Sequence, residues 1–343
     1  MLQITNNTIR VKQINTELVK VALKNLSYGT KLTIANATGL SVATCGNILK
    51  ELLESGEVLE IELEQPNGGR PARRFVYNAN YAFIACLYLK NEGGIYTINY
   101  AVTNLIGEII EEGSKIFNSI NYDVIDSLIG ELIERYENIK AVGIGVPGVV
   151  RQGVIGVCDI KELINVPLGN KLKEKYQLEI TIENDMNFTV YGFYKKQNYD
   201  RDRTIAIVFF PKGNFPGAGI IVDGHILKGN TKFAGELSFL PLDLSREEQL
   251  KRLNSEDGFI PLAVKAIVSI IAIINPETIA LTGELFKSDQ LDDIYNHCLE
   301  IIPKEHMPQI FLRENIHDDY MNGLISITLE SLSYNIQLVE KRI

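Results

Sequence analysis

Between residues 30 and 56 the apolar and polar positions fall into two short helical runs separated by a turn. In the second run Cys45, Ile48, Leu49 and Leu52 recur at i, i+3, i+4 and i+7, a single apolar stripe. Ser41, Val42, Thr44, Asn47 and Lys50 fall on the opposite face, small or polar groups suited to base edges in a major groove. Thr30 with Thr33, and Ser41 with Thr44, stand at capping distance, and Gly39 sits where the chain must turn sharply. A longer helical run precedes them, with Ile14, Leu18, Val21, Ala22 and Leu26 along one side. Beyond them Glu57 to Leu63 alternates as a strand, Gln65-Pro66-Asn67-Gly68-Gly69 supplies a loop, and Arg70 to Tyr77 resumes an extended pattern. Any small helical bundle has capped helices and a glycine turn. The hairpin and its arginines favour a winged helix-turn-helix over residues 1–79, with Arg70, Arg73 and Arg74 placed for phosphates or a minor groove.

From about residue 80 the period changes to strands alternating with helices. Strands are predicted at Ala82–Leu89, Tyr96–Val102 and Glu108–Phe117, with turns at Gly93-Gly94 and Leu105-Ile106-Gly107. Asp123–Tyr136 reads as a helix, Ala141–Val146 as a buried strand running into Pro147-Gly148, and Leu168–Tyr176 as a helix. The strand Ile180–Ile182 leads to Glu183-Asn184-Asp185. Thr204–Phe210 and Ala218–Val222 are strands around a glycine-rich break, followed by a helix at Ala263–Ile274, a strand at Thr278–Thr282 and a closing helix at Met321–Val339. The pattern predicts an α/β body with a shared core.

A chain of 343 residues accommodates two or three domains, and 45% apolar with 22% charged residues is ordinary globular composition. The net charge of −9 opposes nucleic-acid binding until its distribution is considered. Residues 1–80 hold nine Lys and Arg against seven Asp and Glu, so the head is +2 and the body carries the acid. Clustered arginines and dimer avidity would have to supply the affinity. Cys45, Cys86, Cys158 and Cys298 are too far apart for a ligand set and read as small buried hydrophobes; the four histidines show no metal spacing either. No signal-peptide pattern opens the chain, and the apolar run Ala263–Ile274 is short for a span and interrupted by Lys265. The expectation is a soluble, cytoplasmic protein with no membrane partner.

Several segments together resemble the ROK family of sugar kinases and repressors. They are Val-Gly-Ile-Gly-Val-Pro-Gly (142–148), Ile-Glu-Asn-Asp-Met-Asn (182–187), Gly-Ala-Gly-Ile-Ile-Val-Asp-Gly (217–224), Phe-Ala-Gly-Glu-Leu-Ser-Phe (233–239) and Ile-Asn-Pro-Glu-Thr-Ile-Ala-Leu-Thr-Gly (274–283). Thr-Gly-Leu-Ser (38–41) and Asn-Gly-Gly-Arg-Pro-Ala (67–72) resemble the repressor branch. The resemblance implies a winged helix joined to a two-lobed, actin-like ATPase fold: a head over 1–79, a small lobe over 80–198 and 322–343, and a shortened large lobe over 199–321. It further implies that Asn184 and Asp185 bind neighbouring sugar hydroxyls, that Asp185 would be the base in a kinase, and that Glu236 matches the sugar-binding glutamate of Gly-Glu-x-x-His. Read without the family, an Asn-Asp pair after a strand simply caps the next helix.

The departures from the family carry as much as the matches. Kinases end the first strand in Asp-x-Gly-x-Thr, whereas Ala85-Cys86-Leu87-Tyr88-Leu89-Lys90 has no acid and no glycine, so side chains would screen the amides. The second phosphate segment reads Pro211-Lys212-Gly213-Asn214-Phe215-Pro216-Gly217, and its two prolines remove two donors. Phe239 stands in place of the family's histidine, and the charged, cysteine-free segment Ser245–Asp257 replaces its zinc loop. No phosphoryl transfer, no metal and no cofactor are therefore expected. The leading expectation is a repressor of sugar-uptake or catabolic genes, acting as a homodimer or homotetramer on duplex operator DNA. Ser41, Thr44, Asn47 and Lys50 would face bases, and a sugar or sugar phosphate would bind between the lobes. A kinase with an added head and a DNA-binding protein without an effector are the alternatives.

Overall fold

The computed structural model describes residues 7–61 and 73–332. Three helices open it: α1 (Asn7–Leu26), α2 (Lys31–Thr38) and α3 (Val42–Ser55). Strands β1 (Val58–Ile61) and β2 (Arg74–Tyr77) then pair antiparallel, Val58 opposite Tyr77. The expected loop and Arg70 lie outside the described residues. Ile34, Cys45, Ile48, Leu49, Leu52 and Phe75 form the core of this unit, as the stripe on α3 predicts. Helix α1 differs from expectation: Val19, Ala22 and Leu23 point inward, while Leu18, Val21 and Leu26 are exposed. Two overlapping apolar stripes run along this helix, and polar anchors select between them. Lys20 is held by Glu17 and Glu57, and Lys24 donates to the Leu105 carbonyl at 3.0 Å.

The body begins with β3 (Phe83–Glu92), β4 (Ile95–Asn104), β5 (Ile109–Phe117), α4 (Tyr122–Arg135) and β6 (Ile139–Val146). A hairpin of β7 (Gly148–Arg151) and β8 (Val154–Cys158) comes next, then α5 (Leu168–Tyr176), β9 (Glu179–Asn184) and α6 (Asp185–Lys196). The second half contains β10 (Ile205–Phe209), β11 (Gly217–Val222), β12 (His225–Ile226), α7 (Arg246–Leu253), α8 (Glu256–Ile274), β13 (Thr278–Thr282), α9 (Leu291–Leu299), β14 (Gln309–Leu312) and α10 (His317–Leu332).

The two five-stranded sheets share one plan. The first runs β5-β4-β3-β6-β9 and the second β12-β11-β10-β13-β14; in each, the three meander strands are antiparallel and the last two join in parallel. Ligands of such sheets gather at the carboxyl ends of the parallel strands. Helices α6 and α10 lie between the sheets with their backbones in contact. A Cβ on Gly192 would meet the Asp319 carbonyl oxygen at 1.8 Å, so only glycine allows the approach. Helix α10 also lies flat on β6, because Tyr320 and Thr328 occupy the space that side chains at Gly145 and Gly143 would need. By length and composition α8 is apolar enough to cross a membrane, yet it buries Phe259, Leu262, Ala263, Ile267 and Ile271 in the core of the second sheet.

Candidate functional site

On the amino-terminal unit, local chemistry sets the geometry. The Thr30 hydroxyl accepts from the Thr33 amide at 3.2 Å and the Thr33 hydroxyl accepts from the Thr30 amide at 2.7 Å, a reciprocal cap. Gly39 closes α2 at φ 70°, and Ser41 Oγ accepts from the Thr44 amide at 3.1 Å to start α3. The axis turns through 112° at this break. Ser41, Asn47 and Lys50 are exposed and Thr44 is half-buried, its hydroxyl 2.8 Å from that of Ser41. Ala43 lies in the middle of the same exposed face; the sequence reading missed it, although helical spacing places it between Asn47 and Lys50.

Lys50 on this face, and Arg73 and Arg74 at the start of β2, have exposed partners. Lys50 pairs with Glu54 at 3.8 Å, Arg73 with Glu60 at 3.1 Å, and the Arg74 guanidinium lies 4.7 Å over the Tyr28 ring. Exposed pairs of this kind contribute about 0–1 kcal/mol, so a phosphate could take over these cations at little cost. Lys31, not foreseen, reaches across α3: its Nζ lies 3.5 Å from where a Cβ of Gly46 would be.

A second constellation lies at the carboxyl ends of the first sheet. Register sets Tyr88 beside Gly145 and Gly145 beside Glu183, with Asn184 next to Val146. Asn184 caps α6: its Oδ1 accepts from the Met186 and Asn187 amides at 2.9 and 3.3 Å, and its Nδ2 donates to the Gly148 carbonyl at 3.1 Å. The capping reading of this residue thus holds at the level of geometry. Glu183 is buried, accepts from the Asn184 amide and from Asn187 Nδ2, and pairs with Lys228 from the second half of the chain. Asp185 accepts from the Met186 amide at 2.8 Å. Burial pushes its carboxyl up to about 7, and the charges of Asp159 and Glu236 add to the rise. Glu236 is itself raised, by burial first and by Asp159 second, with Arg246 opposing. Asp159, an acid the sequence reading passed over, acts through its charge on both Asp185 and Glu236 and accepts from Asn214 Nδ2 at 2.5 Å. Arg246, whose charge opposes the rise of Glu236, lies 3.9 Å from the centroid of the Phe215 ring and 4.6 Å from that of Phe239.

Both segments read as departures from phosphate loops have structural replacements. Within β3 the Tyr88 ring stacks on Tyr320 with centroids 3.7 Å apart, and Leu87 and Leu89 are fully buried. In the loop after β10 the Lys212 amide is taken by a Glu284 carboxylate oxygen at 3.1 Å, the Gly213 amide by Asn254 Oδ1 at 2.8 Å and the Phe215 amide by Asn214 Oδ1 at 2.8 Å. Donors that would cradle an anion are already satisfied, one of them by a carboxylate. Among the described residues, no group of three or more His, Cys, Asp or Glu is arranged to hold a metal ion.

Residues 91–252 match the ROK family. The xylose repressor of Caldicellulosiruptor bescii is 27% identical over 244 residues, which cover 68% of this chain but only 59% of the repressor's length. The N-acetyl-D-glucosamine kinase of Histophilus somni is 31% identical over 124 residues, 35% of this chain and 40% of the kinase. A crystal structure described as a ROK family transcriptional regulator, homolog of the E. coli MLC protein, superposes with a TM-score of 0.69 at 20% identity, covering 94% of this chain and 97% of that one. At that identity the likeness speaks for the fold, mixed α/β and sugar-kinase-like. Two sheets of one plan, the ordered motifs around their cleft and the match over 91–252 lead to one conclusion: the chain carries a ROK family domain.

Proposed function

We propose that this chain is a DNA-binding transcriptional regulator, a repressor of sugar-uptake or catabolic genes, working in the cytoplasm under the control of a carbohydrate effector. The observation that carries the reading is the exposed face of α3: a capped helix turned 112° from its neighbour, bearing Asn47 and a Lys50 only loosely paired with Glu54. A turn of 90–120° between helices joined by three or four residues is the geometry of a DNA-reading helix pair. In this reading residues 1–79 form a winged head, 80–198 with 322–343 a small lobe, and 199–321 a reduced large lobe. Ser41, Thr44, Asn47 and Lys50 face bases, while Arg70, Arg73 and Arg74 bind backbone or minor groove. Two heads of a homodimer, or of a homotetramer, occupy successive major grooves of a pseudo-palindrome.

Asn184, Asp185 and Glu236 hold the effector, which acts only if it binds two arrangements of the heads with different affinity. A repressor named for xylose among the relatives supports a sugar-responsive role. A kinase role is disfavoured by the Tyr88–Tyr320 stack and by Glu284 on the Lys212 amide, although Asp185 has a near-neutral carboxyl suited to a base. Selection of bound sequences from a random duplex pool, repeated with candidate sugars, tests the proposal. A half-site repeat that one sugar abolishes is the expected result; no enrichment at low salt, or turnover of ATP with any hexose, refutes it.

A further inference from the structure

We propose that the effector is a disaccharide or longer saccharide, its second ring lying in a cavity that adjoins the Asn184–Asp185 pair; this rests on the effector reading above. The cavity measures about 470 Å³, within the range of about 300–1,000 Å³ usual for small-molecule sites. Its lining starts at Val149, bonded directly to Gly148, whose carbonyl accepts from Asn184 Nδ2 at 3.1 Å, so β7 links the two places. The β7–β8 hairpin forms one side, and Thr231 forms the other. Thr231 is only three residues after Lys228, which is paired with Glu183 at the end of β9. An occupant therefore touches both halves of the body.

The lining matches a sugar ring. Val149 and Val154 offer an apolar floor for a C–H face, and Arg151, Gln152, Asn165 and Thr231 offer a rim of groups that bond hydroxyls. The lining holds no carboxylate, in contrast to the surroundings of Asp185, which the charges of Asp159 and Glu236 reach. A sugar phosphate fits less well, because Arg151 is the one cation lining the cavity and the neighbouring Asp159, Asp185 and Glu236 repel an anion. Gly156 keeps the space open: a Cβ there would meet only the Val149 carbonyl oxygen, at 3.5 Å. A side chain at 156 would thus extend into the cavity without displacing backbone.

The test is titration calorimetry of the full chain with matched pairs: xylose and xylobiose, glucose and cellobiose, N-acetylglucosamine and its β-1,4 dimer. In one pair the disaccharide is expected to bind at least tenfold more tightly than its monosaccharide. Gly156→Val, and independently Thr231→Trp, should bring the disaccharide to within about twofold of the monosaccharide; thermal melting without ligand identifies a variant that fails to fold, in which case the other decides. The proposal is overturned if every monosaccharide matches or exceeds its disaccharide, or if both fillings leave the tenfold advantage intact. Binding of a monosaccharide alone would leave the effector reading standing, whereas no binding by any sugar would remove both.

Discussion

Helices α3 and α6 begin with the same device, a side-chain oxygen capping the first turn, yet the two amino termini face opposite environments. At α3, Ser41 caps and the turn opens outward, with Asn47 and Lys50 exposed. At α6, Asn184 caps and also binds the Gly148 carbonyl, while Asp185 is crowded by burial and by two other acids. The cap supplies a rigid start in both places, worth about 1 kcal/mol. The surroundings of each cap decide its use. An exposed face is available to a large, flat partner such as duplex DNA; a walled one selects a small molecule by its hydroxyls.

Four substitutions probe this contrast. The largest effect is expected from Gly192→Ala, which drives a methyl into the Asp319 carbonyl and separates α6 from α10. Urea unfolding should show a loss of about 3 kcal/mol or more, confined to the body. Asn47→Ala should weaken the selected half-site by about 1–3 kcal/mol in a fluorescence-anisotropy titration and leave sugar binding unchanged. An equal loss of sugar affinity would mean that the two helix starts are not separable.

Asp185→Asn removes a pH dependence whose sign is fixed. The carboxyl holds its proton up to about 7 in the folded chain, against an ordinary value of 3.8. The folded state therefore binds more protons between these values, and this group's contribution to stability falls as pH rises through them. The asparagine variant should exceed the native chain at pH 8 by about 1–2 kcal/mol, discounted for the partly open cleft, with the difference closing by about pH 4. Ser41→Ala should cost about 1 kcal/mol in the head alone, read from the first transition of a thermal melt.

Much of this was legible in the residues wherever the cause is local. The caps at Thr30 and Ser41, the α3 stripe, α5 over Leu168–Tyr176 and β13 over Thr278–Thr282 all arise from spacing within one element. Where the cause is a distant partner, it was not legible. Helix α6 carries Asn187, Thr189 and Tyr191, weak helix formers held in place by α10. The hairpin β7–β8 is short and glycine-interrupted, and reads as loop until its two strands are seen to pair. The rotation of α1 depended on Glu57 and on the Leu105 carbonyl, both outside the helix. In the cleft, Asn184, Asp185 and Glu236 could be named from motifs, but Asp159 and Lys228 belong to no pattern that spacing reveals. Gly143 and Gly145, quoted as part of a family segment, have a reason only once Thr328 and Tyr320 are placed against them.

The ring pair formed by β3 and α10 has a consequence for how the body is held together. With the Tyr88 and Tyr320 rings face to face, their centroids 3.7 Å apart, strand and helix are keyed to each other by shape, and truncating either ring leaves a hollow against its mate.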